Sequence, residues 1–187
     1  KISISDLKFL KFSLLKEGME VLYPSRKINS CYFDTNNLKM YHDSEEGVLP
    51  RKKIRLRWYE NQQQINKEIK ISSTEGRFKT IQSINNETIK NMMEHKLYDS
   101  QYGILFPKIL IKYSREYFEF KNLRLTFDTE INYININSLN KNFYSDKENV
   151  VEIKTPIHIS EDYLEKIIGI QPTRFSKYCR GISSFFK

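Results

Sequence analysis

Cysteine is scarce in this chain: Cys31 and Cys179 stand far apart in 187 residues and form no CxxC pair. That excludes a disulfide framework and a cysteine-built zinc site, and it suits a reduced compartment where both thiols fill core space. No apolar run approaches the ~18 residues a spanning helix requires, so the sequence predicts a soluble segment without a membrane span. A secretory leader pattern is also lacking. The first residue is Lys1 and not Met, which leaves room for a segment upstream. Neither an internal repeat nor a linker interrupts the chain, and its length predicts one domain over 1–187. The three histidines, His42, His95 and His158, fall in predicted loops or on helix faces. They read as surface residues, and no Ser-His or Cys-His nucleophile is expected.

What the chain does have is aromatic side chains and positive charge. Twelve Tyr, twelve Phe and a hydrophobic fraction of 39% suffice for a core, which excludes a disordered chain. A net charge of +8, with 31 Lys and Arg, predicts an anionic partner. Nucleic acid, a membrane surface and a small polyanion all satisfy that number, so the placement of the charge has to decide.

The chain reads as a helix followed by strands. Ser5 is the expected cap of a helix carrying Leu7, Leu10, Leu14 and Leu15, with Gly18 as its terminator. A short aromatic strand follows over Ser30–Thr35, then a helical turn through Leu38, Met40 and Tyr41. Strands are expected over Lys53–Tyr59, Ile65–Ser72 and Arg77–Ser83, and a helix over Asn86–Leu97 with Met92 and Met93 on its apolar side. Two long strands, about Lys108–Phe120 and Leu123–Ile131, are joined tightly at Lys121-Asn122. A polar loop spans Asn135–Asn149, a strand runs Val150–Thr155, and Ser160 caps a helix ending at Gly169. The last helix carries Phe175, Tyr178, Ile182 and Phe185.

Residues two apart on a strand share a face. Arg51, Lys53, Arg55 and Arg57 therefore gather opposite Ile54, Leu56 and Trp58. Glu68 pairs with Lys70 on one face, Arg77 with Lys79, and Glu152 with Lys154. Arg115 lines up with Tyr113 and Tyr117, and Arg124 with Thr126, Asp128 and Glu130. An open sheet with one solvated face would give the same alternation. Cations nevertheless outnumber anions on these faces, and cross-strand like charges repel unless an anion lies between them. Arg also favours forked recognition of phosphate oxygens. Seven or eight such strands could close into a barrel with the charged faces inward.

The blocks Asn29–Thr35, Lys53–Tyr59, Glu68–Lys70, Tyr113–Tyr117, Arg124–Asp128, Val151–Lys154 and Phe175–Tyr178 with Arg180-Gly181 carry a resemblance. In this order they resemble the vacuolar transporter chaperone (VTC) domain of polyphosphate polymerases, within the CYTH-like triphosphate tunnel metalloenzymes. The resemblance covers nearly the whole chain. It implies an α+β, mainly β fold: an antiparallel eight-stranded tunnel barrel with peripheral helices. It implies ATP or another triphosphate and polyphosphate as partners, and Mn2+ or Mg2+ as cofactor. By the same resemblance Arg55, Arg57, Lys70, Lys79, Arg115, Arg124 and Lys154 hold phosphate oxygens, with Arg77 a competitor for Lys79. Ser176 and Lys177 close on the phosphate chain, Glu152 binds the metal, and Arg115, Arg124 and Lys177 act on the reacting phosphate. Glu68 and Asp128 are either site residues or partners that orient the cations. Lys1 stands where the family's first strand ends in a lysine, so the domain is expected to be cut short at that strand.

The activity implied is transfer of the γ-phosphate of ATP to a growing polyphosphate chain. A triphosphatase and a polyphosphate-binding module without turnover are the alternatives. Nucleic acid fits poorly, because the basic residues alternate along strands and form neither a reading helix nor an aromatic platform. The expected location is the cytoplasm, with membrane association only through segments or partners outside this sequence.

Overall fold

The computed structural model describes residues 1–60, 62, 64–84, 96–137, 142–155 and 159–186. Four helices are described: α1 (Ile4–Lys16), α2 (Lys39–Glu46), α3 (Glu161–Ile168) and α4 (Lys177–Ser183). The nine strands are β1 (Glu20–Asp34), β2 (Arg51–Tyr59), β3 (Ile65–Ser73), β4 (Gly76–Ile84), β5 (Leu97–Asp99), β6 (Gly103–Phe120), β7 (Leu123–Asn135), β8 (Phe143–Ser145) and β9 (Val150–Lys154). Their order is β4-β3-β2-β1-β6-β7-β8, with β5 on β6 and β9 on β7. The expected architecture, a mainly antiparallel sheet with peripheral helices, is present. Among the described residues it has nine strands where eight were expected, and no ladder there joins β4 to β8, so the described sheet path is open.

The chain divides into two compact units. The first comprises Lys1–Lys27, Tyr113–Ile131 and Ser145–Phe175. Its core sets Leu7, Leu10 and Leu14 of α1 with Phe118, Phe120, Leu125 and Phe127. Here Ser3, and not Ser5, caps α1, because its hydroxyl accepts from the Asp6 amide at 3.1 Å. Leu7, Leu10 and Leu14 are buried as their spacing predicts, whereas Leu15 is exposed. Lys121 and Asn122 both have positive φ (49° and 62°), which lets a two-residue turn follow the twist of β6 and β7. Ser160 caps α3 as expected, accepting from the Tyr163 amide.

The second unit comprises Ile28–Lys112, Asn132–Tyr144 and Ser176–Lys187. Cys31, Phe33, Ile54, Leu56, Trp58 and Leu105 form its core. Both cysteines are buried free thiols, and burial alone pushes the Cys31 thiol far above its ordinary value, as a core-filling role predicts. His42 lies exposed on α2. The α2 N-cap, Leu38, offers no side-chain acceptor. Asp34 and Thr35 supply the missing acceptors: the Asp34 carboxylate takes the Met40 and Tyr41 amides at 2.9 and 3.0 Å, and the Thr35 hydroxyl takes the Lys39 amide at 2.9 Å.

Three expectations are corrected. Strand β1 begins at Glu20, ten residues before the predicted Ser30, because its exposed first half shows no apolar alternation. Leu97 opens strand β5 and does not close a helix. The loop expected over Asn135–Asn149 contains β8. The remainder of the helix expected over Asn86–Leu97, with Met92 and Met93, lies outside the described residues apart from Lys96, which belongs to no element; so do His95 and His158.

Candidate functional site

In the second unit the strand registers build one charged face in rows. Ser30, Arg57, Asn66 and Ser83 lie across β1 to β4. Next come Tyr32, Arg55, Glu68 and Ile81, and then Lys53, Lys70 and Lys79 across β2 to β4. Alternation predicted that these cations share a face. Burial adds that both faces of β2 are covered, since Arg55 and Arg57 are each only 8% exposed.

Glu68 is the hub of this face. Its Oε2 accepts from Arg55 Nε at 2.8 Å and Nη2 at 2.5 Å, while Oε1 accepts from Lys79 Nζ at 3.0 Å and lies 3.7 Å from Arg57 Nη1. Burial works against its charged form. Arg55 and Arg57, with the hydrogen bonds from Arg55 and Lys79, outweigh burial and hold the carboxyl at about 2. Three cations thus share one carboxylate. Arg55 Nη1 also donates to the Tyr32 hydroxyl at 2.6 Å. Burial raises the pKa of that phenol, but Arg55, Arg57 and Lys70 bring it below its ordinary value.

The remaining predicted residues of this unit take distinct places. Lys53 Nζ donates to Ser176 Oγ at 2.9 Å, and the same hydroxyl caps α4 by accepting from the Cys179 amide. Lys177 opens that helix half-buried, while Lys70 and Lys79 are exposed. Arg77 is also exposed, opposite Ser72. Tyr178, not singled out for the site, stacks on Tyr32 at 5.0 Å and donates to the buried Asp34 carboxylate.

In the first unit, β7 and β9 set Arg124 opposite Lys154, Thr126 opposite Glu152 and Asp128 opposite Val150. Arg115 makes a forked pair with the fully buried Asp128, at 2.5 and 2.6 Å, and its Nη2 also reaches Glu152 at 3.1 Å. Burial disfavours the cation, but Asp128 and Glu152 more than restore it, so Arg115 stays charged. Asp128 therefore orients a cation. Glu152 keeps a side chain 40% exposed.

Arg124 differs from every other predicted arginine. Its guanidinium lies 5.5 Å from the Tyr23 ring and 5.6 Å from the Tyr117 ring. It has no carboxylate partner among the described residues, and its buried Nε has no hydrogen-bond partner there either. The Thr126 hydroxyl on the same strand is likewise buried without a partner. Two aromatic rings thus hold a cation whose buried Nε is unpartnered there, an arrangement that suits an incoming anion. Tyr23 and Thr126 were missed as candidates; Thr126 shares its face with Arg124 and Asp128, whereas Tyr23 stands between Val21 and Ser25 on its face and gives no such signal. Lys1 precedes Ile2, which bridges Asn149 just before β9; its amino terminus donates to Thr173 and its Nζ pairs with Glu148 at 3.3 Å. Lys154 is exposed.

No group of three or more His, Cys, Asp or Glu side chains capable of holding a metal occurs among the described residues. Glu152 is the accessible carboxylate in the Arg124 region. One carboxylate fits an Mg2+-like ion that draws its remaining ligands from phosphate oxygens and water.

The VTC domain family profile matches residues 2–186. Solved structures share the fold, two of them over nearly the whole chain. One is a candidate adenylate cyclase from Bacillus halodurans, 14% identical, with a TM-score of 0.62, covering 100% of this chain and 95% of its own. The other is a Pyrococcus horikoshii protein, 15% identical, with a TM-score of 0.53 and 92% of each chain covered. None of the curated proteins matches the sequence. The profile spans the same blocks that carried the resemblance, in the same order, and the rows of paired strands give those blocks a common geometry. The chain belongs to the VTC domain family and shares its fold with both of these structures.

Proposed function

We propose that this chain is a polyphosphate polymerase that takes its phosphoryl group from ATP. The observation that carries the reading is Arg124, a cation held by two tyrosine rings whose buried Nε has no hydrogen-bond partner among the described residues. In the reaction, a terminal phosphate oxygen of the polyphosphate chain attacks the γ-phosphorus of ATP. The bond from that phosphorus to the β,γ-bridging oxygen breaks, ADP leaves, and the chain is longer by one phosphate. Such a transfer asks the protein mainly to align the phosphates and neutralise their charge.

Arg124 and Arg115 would take oxygens of the reacting phosphate, with Lys177 as a further cation. Arg55, Arg57, Lys70, Lys79, Lys154, Lys1 and Ser176 would hold the remainder of the chain. Glu152 would hold Mn2+ or Mg2+, which when bound supplies charge neutralisation on the phosphate oxygens. The two buried free thiols suit a cytoplasmic setting. Among the described residues no helix is long and apolar enough to cross a membrane.

The test is incubation with ATP and Mn2+, followed by gel staining for polyphosphate. A ladder of long chains that disappears on metal removal, and in Glu152→Gln, supports the proposal. Release of orthophosphate alone would mean a triphosphatase. Tight tripolyphosphate binding without turnover would mean a binding module.

A further inference from the structure

Strand β2 carries Arg55 and Arg57 on one face and Trp58 on the other, where a separate cleft opens. Its volume is about 380 Å³, and Asn29, Trp58, Tyr59, Glu60, Leu110 and Lys112 are among its lining residues, all within the second unit. Asn29 is the register partner of Trp58, so the two side chains share the face opposite Arg57. The cleft is therefore distinct from the phosphate-binding rows.

Asn29 is the telling residue. It is only 9% exposed and lines the cleft, yet its side-chain amide has no hydrogen-bond partner among the described residues. The amide is not sealed from water: it opens onto the cleft, where a ligand can meet it. Asn29 is followed on β1 by Ser30 and Cys31, so its backbone is held within the strand. Its planar group offers a donor and an acceptor side by side, the pattern with which Asn reads the edge of adenine. Trp58 and Leu110 supply apolar walls and are 7% and 8% exposed.

The rim adds charge of both signs. Exposed Lys112 has no carboxylate partner among the described residues, and exposed Glu60 is the acidic lining residue. One cation beside one anion does not suit a phosphate chain. It does suit a ligand with a single phosphate and a hydroxyl-bearing body, since a carboxylate accepts from ribose hydroxyls.

From this we infer that the chain has a second ligand site, on the reverse face of the β1–β2 pair, which takes a purine nucleoside monophosphate. The base edge meets Asn29, the ribose meets Glu60 and the phosphate meets Lys112. This site is independent of the polymerase reading, because none of its residues belongs to the phosphate-binding set.

Trp58 is the one tryptophan of the chain, so its fluorescence reports on the cleft directly. The experiment titrates the intact protein with AMP, adenosine, ribose 5-phosphate and tripolyphosphate. AMP is expected to change the emission saturably below about 5 mM. Asn29→Leu should weaken AMP and adenosine alike, by about tenfold or more. Lys112→Ala should weaken AMP several-fold and leave adenosine unchanged, and because Lys112 is exposed this variant keeps the test decisive even if Asn29→Leu fails to fold. Arg124→Ala should leave both titrations intact. Absence of a saturable response to AMP overturns the proposal, as does a response that Lys112→Ala leaves untouched or that Arg124→Ala abolishes.

Discussion

A buried cation's role depends on what else can satisfy it, and the arginines of this chain fall on two sides of that line. Arg55 and Arg115 are fixed by Glu68 and Asp128, whereas Arg124 rests on two rings. Alternation along the strands predicted all three as equivalent cations; it could not show which carboxylates fold back onto them, because those pairings are set by register between strands. Arg55→Ala would leave Glu68 buried beside fewer cations, and that costs stability as well as binding. Glu68 gives a pH prediction. Its carboxyl sits at about 2 when folded, against an ordinary 4.5. A depressed carboxyl stabilises the fold above its unfolded pKa and loses that contribution as pH falls through the folded one. Its size is on the order of 2–3 kcal/mol. Glu68→Gln should therefore melt well below wild type at pH 7, and the gap in Tm should close between pH 4.5 and 2. A gap independent of pH would show that Glu68 is not the charged hub.

Elements with strong periodicity were legible, and those held by single side chains were not. Strands β2, β3, β4, β6 and β9 lie within a few residues of their expected bounds because apolar and polar or charged residue types alternate along much of their sequence. The first half of β1 carries Pro24 and exposed Val21 and Tyr23, so the pattern had nothing to register. Helix α2 depends on Asp34, which lies in β1 and accepts the Met40, Tyr41 and Thr35 amides as well as the Tyr178 hydroxyl. Asp34→Ala strands several buried donors at once, and urea titration should show a loss of about 3 kcal/mol or more. Helix α4 is equally exacting. A methyl group on Gly181 would lie 2.6 Å from side-chain carbons of Ile109 and Tyr133. Gly181→Ala should cost about 1–3 kcal/mol by overpacking, and a melting temperature equal to wild type would refute that contact.

At the scale of the whole molecule, the net charge of +8 was the first pointer to an anionic partner, and its distribution is more informative than its sum. Much of the charge on the strand faces is spent in orienting other groups. What remains accessible beside Glu152 defines the candidate site. The family could be read from seven blocks in order because most of them pair a charged face with an apolar one along a strand. The open sheet path and the cleft beside Trp58 could not be read in that way, since both depend on which strands meet. The central claim, that these faces bind a phosphate chain through Arg124, is tested most directly by calorimetric titration of tripolyphosphate into wild type, Arg124→Ala and Lys8→Ala. Wild type and Lys8→Ala, altered only on the exposed side of α1, should bind alike. Arg124→Ala should bind about tenfold or more weakly while retaining its melting temperature. Equal affinity in all three proteins would contradict the assignment of Arg124 to the phosphate chain.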